Sequence, residues 1–84
     1  MRIQTDFLSY TTEDDVKNFE EALALVNEHL KYNGIDSTNL AEYRTDIQSY
    51  IRRSYSQFDI NEYRFNFIIS YWVPDIFDIE KGDE

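Results

Sequence analysis

Apolar and polar residues alternate with a period of two near both ends of the chain. Between residues 63 and 73 large apolar side chains occupy the odd positions, and between residues 1 and 9 the alternation is weaker. Because successive side chains of a strand point to opposite faces, both segments are predicted to be β-strands, with Pro74 ending the second. The apolar sides consist of Ile3, Thr5 and Phe7 in the first strand and Tyr63, Phe65, Phe67, Ile69 and Tyr71 in the second.

A period of three to four residues after the first strand predicts a helix. Thr11 and Thr12 precede three acids, which is a hydroxyl cap followed by carboxylates that complement the helix dipole. Asn33 and Gly34 supply a left-handed stop at the other end. The apolar stripe between these signals is formed by Val16, Phe19, Leu23, Val26 and Leu30.

A second helix is predicted from about residue 36 to residue 54. Asp36, Ser37 and Thr38 offer another cap, and the link from Gly34 to Ser37 is short enough for two antiparallel helices. The predicted apolar face of this helix consists of Leu40, Tyr43, Ile47, Tyr50 and Ile51.

The predicted fold class is α+β, in one small domain that spans residues 1–84. A small antiparallel sheet is built from the N- and C-terminal segments, and the antiparallel pair of helices packs on one face. The residues expected to fill the core include Phe7, Phe19, Phe65 and Phe67.

The charge of the chain narrows the kind of partner. It has 84 residues with 17 acids against 8 bases, a net charge of −9, and no cysteine. Phosphates would repel such a surface, so the expected partner is a basic protein rather than nucleic acid or an anionic membrane. The lack of cysteine excludes disulfides and thiolate metal sites, and no signal or membrane-spanning stretch is visible, which together predict a cytoplasmic protein.

The candidate partner-binding residues form two groups. On the first predicted helix they are acids that frame one leucine, which projects away from the predicted apolar stripe and is a possible interface anchor. The alternative interpretation is a solvated helix face, with the C-terminal segment covering the leucine. These residues are Glu13, Asp14, Asp15, Glu20, Glu21, Leu25 and Glu28.

The second group lies in residues 75–84, where large apolar residues are mixed with carboxylates. The candidates there are Asp75, Phe77, Asp78 and Glu80, which could dock in an apolar pocket rimmed by lysine and arginine. The alternatives are a last edge strand or a flexible acidic tail.

The sequence predicts no enzyme, cofactor or metal site. His29 is the only histidine and is expected at the surface, and the two glycines cannot build a phosphate-binding loop. Adjacent carboxylates on a helix diverge by about 100° and do not converge on one metal or substrate.

Two functions remain. In size, charge and lack of cysteine the chain is similar to phage anti-defence proteins, such as anti-CRISPR and anti-restriction proteins, and to bacterial nuclease-immunity proteins, with which it shares no motif. That similarity implies an inhibitor, in the extreme a DNA mimic, that occupies a basic nucleic-acid-binding surface of a nuclease or defence effector. The alternative is a structural or regulatory interaction module, as a monomer or a homodimer.

Overall fold

The computed structural model describes residues 1–54, 56 and 58–74. The elements are β1 (Arg2–Thr11), α1 (Phe19–Tyr32), β2 (Leu40–Arg53) and β3 (Asp59–Val73). The three strands form one antiparallel sheet in the order β1-β3-β2, so β3 is central and the other two strands lie at the edges.

The core lies between α1 and the face of the sheet that carries the odd-numbered residues of β3, here called the helix face. Phe67 and Ile69 of β3 and Val26 of α1 are the largest fully buried side chains. The ring of Phe19, at the start of α1, lies 5.5 Å from that of Phe65 and 5.9 Å from that of Phe67. The prediction of a strand with alternating faces from residue 63 to 73 is therefore confirmed.

The strand predicted at the N-terminus is also present, but its apolar side is not the core side. Ile3, Thr5 and Phe7 pair with even-numbered residues of β3 and lie on the other side of the sheet, the open face, where Phe7 is 73% exposed. Leu8 and Tyr10 pack on the core instead. Neighbouring residues of a strand lie on opposite faces, so Phe7 must lie on the open face when Leu8 lies on the helix face. The expectation of a buried Phe7 is therefore wrong.

The first helix begins later than predicted. The Thr11 hydroxyl accepts from Asp14 N–H, as expected of a capping residue, and Asp15 Oδ2 also accepts from Thr11 N–H. These bonds close a single turn, and α1 starts only at Phe19. Asn18 is the actual N-cap, because its Oδ1 accepts from Glu21 N–H at 3.0 Å.

The predicted end of this helix is confirmed. Gly34 has a φ of +67°, in the left-handed region that favours glycine. Its N–H donates to the carbonyl of Lys31, and the N–H of Ile35 donates to that of Leu30 at 2.8 Å. This is the pair of bonds of a Schellman motif, and Ile35 is buried in the core.

The second predicted helix is wrong, and with it the α+β fold class with two packed helices. Residues 40–53 form the strand β2, which pairs with β3 along its length and has one irregularity between Leu40 and Glu42. The cap signal is used for a turn, in which Thr38 N–H donates to Asp36 Oδ1 at 2.8 Å. The protein is mostly sheet, with one helix among the described residues.

Candidate functional site

Six of the predicted acidic residues lie close together in the chain and are exposed. Residues 12–32 contain six acids and two lysines. On α1 the acids lie away from Ala22 and Val26, which are fully buried. We call the six residues the acidic surface: Glu13, Asp14 and Asp15 in the turn after β1, and Glu20, Glu21 and Glu28 on α1.

Three of these acids are held by contacts within the fold. Asp15 closes the turn, and Glu21 Oε2 accepts from the N–H of Lys17 at 2.7 Å. Glu13 accepts from the hydroxyl of Tyr50 at 3.2 Å and lies 3.6 Å from the guanidinium of Arg52. These three carboxylates hold the segment that connects β1 to α1 in place.

The other three acids project into solvent without such contacts. Asp14, Glu20 and Glu28 make no side-chain hydrogen bond or ion pair within the described residues. Asp14, Glu21 and Glu28 are seven residues apart in the sequence, but they do not form one line on a helix, because Asp14 lies in the turn before α1. Glu21 and Glu28 remain about 10 Å apart along the helix axis.

Leu25 does not project away from the core. It is partly buried and packs against the core cluster. The fully buried face is centred on Ala22 and Val26, and Leu25 lies only about 60° around the helix from Ala22. The premise that made Leu25 an exposed anchor is therefore wrong. The remaining candidates, Asp75, Phe77, Asp78 and Glu80, lie outside the described residues.

A partly buried polar cluster joins α1 to the sheet and was not predicted. The Oδ2 atom of Asp6 lies 2.9 Å from His29 Nε2 and accepts from the hydroxyl of Tyr71 at 2.9 Å. Burial alone would raise the pKa of Asp6, but the hydrogen bonds from His29 and Tyr71 outweigh it and lower the pKa below its usual value. Burial and the contact with Asp6 raise the pKa of Tyr71. His29 is thus a structural partner of Asp6, not a free surface residue.

This cluster does not have the arrangement of a nucleophilic active site. The other ring nitrogen of His29, Nδ1, lies 3.4 Å from the amide of Asn33. Among the described residues, no serine or threonine hydroxyl forms a hydrogen bond with His29. A histidine and a carboxylate without a nucleophile provide no acyl-transfer chemistry.

A second polar cluster lies on the open face, where the end of β2 pairs with the start of β3. Glu62, 6% exposed, accepts from the hydroxyl of Thr12 and from Arg52 Nη2, the latter at 2.9 Å. These two hydrogen bonds lower the pKa of Glu62 although burial opposes the shift. Arg52 Nε is buried without a hydrogen-bond partner and faces Glu13 at 3.6 Å. The cluster ties the turn after β1 to the sheet and so supports the acidic surface.

Two groups of exposed apolar side chains also lie on the sheet. On the open face, Ile3 pairs with Trp72 and Phe7 with Ile68. On the helix face, α1 leaves most of β2 uncovered, and the apolar residues exposed there are Tyr43, Ile47 and Ile51. Sequence reasoning missed this second group because it placed these residues in a packed helix.

Comparison of the chain with protein-family models, with curated proteins and with solved structures found no match. Among the described residues, no helix is long and apolar enough to cross a membrane. The same part of the chain contains no group of three or more His, Asp or Glu side chains that could hold a metal ion.

Proposed function

We propose that this protein is an acidic inhibitor that binds the basic nucleic-acid-binding surface of an enzyme, such as a nuclease or a defence effector. The observation that carries the proposal is the set of three carboxylates, Asp14, Glu20 and Glu28, which project from the acidic surface without hydrogen bonds or ion pairs within the described residues. Their charge is therefore available to a partner.

The backbone that carries these carboxylates is fixed, which favours recognition of a cationic groove. The turn that carries Asp14 is fixed by the bonds of Thr11 and Asp15, and α1 is fixed at both ends by its caps. A backbone that is already fixed loses little conformational freedom on binding. A net charge of −9 also steers the protein toward basic surfaces, with association that slows as salt rises.

The experiment is affinity capture from a lysate of the source cell or its host, with nuclease treatment and mass spectrometry. The test variant is Glu20→Lys/Glu28→Lys, which reverses two free acids and leaves Glu21 to hold Lys17. The matched control is Ser37→Lys/Ser56→Lys/Asp59→Lys, which changes the net charge equally at exposed residues outside the acidic surface and outside β2.

We expect the wild type and the control to retain a nucleic-acid enzyme that high salt and added DNA release. The test variant should capture at least tenfold less of the enzyme than the wild type, since two attractive contacts become repulsive. Equal capture by the test variant, or equal loss with both variants, would overturn the assignment of binding to the acidic surface.

A further inference from the structure

The outer edge of β2 has a regular row of peptide groups that β3 does not use. Ser54 N–H donates to the carbonyl of Phe58 at 3.0 Å, which continues the register that pairs Arg53 with Asp59. Hydrogen-bonded positions alternate along an antiparallel ladder, so the even-numbered residues of β2 bond to β3. The odd-numbered ones direct N–H and C=O outward: Tyr43, Thr45, Ile47, Ser49 and Ile51.

The same odd-numbered residues place their side chains on the helix face, where the described residues cover them only in part. Ile47 is 52% exposed and Ile51 is 66% exposed. Within the described residues no strand pairs with this edge. An apolar row beside an unpaired edge is the feature that natural sheets usually protect, because it is a template for another strand. Proline is absent from β2, and its irregularity lies at one end, between Leu40 and Glu42.

We propose that the edge of β2 pairs antiparallel with β2 of a second copy, about a two-fold axis at Ile47. This pairing joins two three-stranded sheets into one and brings each exposed apolar residue against another. The facing pairs on the helix face are Ile47 with Ile47, Tyr43 with Ile51, and Thr45 with Ser49. Those on the open face are Glu42 with Arg52, Arg44 with Tyr50, and Asp46 with Gln48.

The charges that face each other and the length of β2 favour this register over those with the axis at a nearby residue. An axis at residue 46 sets Asp46 against its own copy, and an axis at residue 48 sets Arg44 against Arg52, so each places like charges opposite. An axis at residue 45 or 49 leaves Ile51 or Tyr43 opposite a position outside the strand. The axis at Ile47 matches all three apolar residues and pairs Glu42 with an arginine.

The charge of β2 permits this contact in an otherwise acidic chain. β2 has three arginines against two acids, a net charge of +1, and it is the only one of the four described elements with a positive net charge. The edge of β1 is less suitable. At Thr11 its outward N–H is bonded to the Asp15 side chain, and its outward carbonyl accepts from the N–H groups of Asp15 and Val16.

The chain has no cysteine, so a single introduced cysteine reports the register directly. In the proposed dimer the two Cα atoms at position 47 lie about 5.5 Å apart, within the range of about 4.4–6.8 Å that a disulfide spans. The two Cα atoms at position 51 lie about 27 Å apart, from eight residues at about 3.4 Å each. Ile51→Cys is thus a matched control at a more exposed site of the same row.

We expect Ile47→Cys to form a disulfide-linked dimer under mild oxidation, and Ile51→Cys to remain at least tenfold less cross-linked. A mixture of Tyr43→Cys and Ile51→Cys should form the mixed dimer. The wild type should double its mass with rising concentration in sedimentation equilibrium, at high salt as well as low.

Three results would overturn the proposal. One is a wild type that stays monomeric at several hundred micromolar. Another is cross-linking of Ile51→Cys equal to that of Ile47→Cys, which would mean random collision. The third is a dimer that cross-links through Thr5→Cys instead, which would assign the interface to the edge of β1.

Discussion

At the scale of single residues, Asp6 joins the helix to the sheet. The residue lies on the helix face of β1, where its carboxylate binds both His29 and Tyr71. Nothing in the local sequence marks it, because the alternation from Ile3 to Phe7 places Asp6 on the polar side. Asp6, Leu8 and Tyr10 are alternate residues of β1 and therefore share one face of the strand, which is the face that packs on the core. A polar residue on a core face is tolerated because its hydrogen bonds are satisfied.

Asp6→Asn tests this link through its pH dependence. We expect the variant to lose about 1 kcal/mol of unfolding free energy at pH 7, because hydrogen bonds to a charged group are weakened. The folded-state pKa of Asp6 lies below its usual value of 3.8, so the stabilisation is present above that value. It is lost as the pH falls through the folded-state pKa.

Urea unfolding of the wild type and Asp6→Asn from pH 7 to pH 2.5 measures this effect. The difference between the two unfolding free energies should shrink as the pH falls below 3.8. Asp46→Asn is the control, because Asp46 makes no side-chain hydrogen bond or ion pair within the described part of the chain. A constant difference between wild type and Asp6→Asn across the pH range would contradict the role of the Asp6 charge.

At the scale of elements, β3 and the end of α1 could be predicted from the sequence, and β2 could not. Tyr43, Ile47 and Ile51 are four residues apart, and four is compatible with the period of a helix and with that of a strand. Thr45 and the polar residues at even positions favoured a strand, but the cap-like turn at Asp36 favoured a helix. Pairing with the central β3 decided between them, and sequence periodicity does not report such pairing.

The start of α1 was misplaced for a similar reason. Thr11 and Asp15 make real capping bonds, but these bonds close a turn that lets Val16 enter the core. Local signals therefore located the turns correctly, but they did not determine whether a helix or a strand comes after each turn. Among the candidate site residues, the exposed acids on α1 could be predicted from charge, whereas the position of Leu25 depended on which helix face is buried.

Two phenylalanines test the assignment of faces. Phe67→Ala should cost about 3–5 kcal/mol of unfolding free energy, because the ring is fully buried. Phe7→Ala should cost less than about 0.5 kcal/mol, because the ring lies on the open face. Chemical unfolding monitored by circular dichroism compares them, and similar losses for both would contradict the register of β1.

Gly34 tests the helix stop. Apart from the adjacent residues, no atom lies within 4 Å of a Cβ added there, so the cost of Gly34→Ala is the backbone strain of a positive φ, about 1 kcal/mol. Gly34→Asn should cost less, because asparagine tolerates the left-handed region. Equal unfolding free energies for wild type and Gly34→Ala would show that this conformation does not hold the helix end.

At the scale of the whole molecule, the two proposed surfaces are compatible. A two-fold axis at Ile47 runs perpendicular to the sheet, so both copies of α1 would lie on the same side of the joined sheet. Two acidic surfaces would then face one partner, and binding through both would exceed binding through one. The monomer alone retains an acidic surface, so loss of the dimer should weaken inhibition without abolishing it.

The most direct measurement is competition between this protein and DNA for the captured enzyme. A labelled duplex bound to that enzyme is titrated with the wild type, with Glu20→Lys/Glu28→Lys and with Ser37→Lys/Ser56→Lys/Asp59→Lys. We predict that the wild type and the control displace the duplex, with displacement that weakens as salt rises, and that the reversed variant does not. Binding of the wild type to the enzyme without displacement of the duplex would contradict the central claim that the acidic surface occupies the nucleic-acid site.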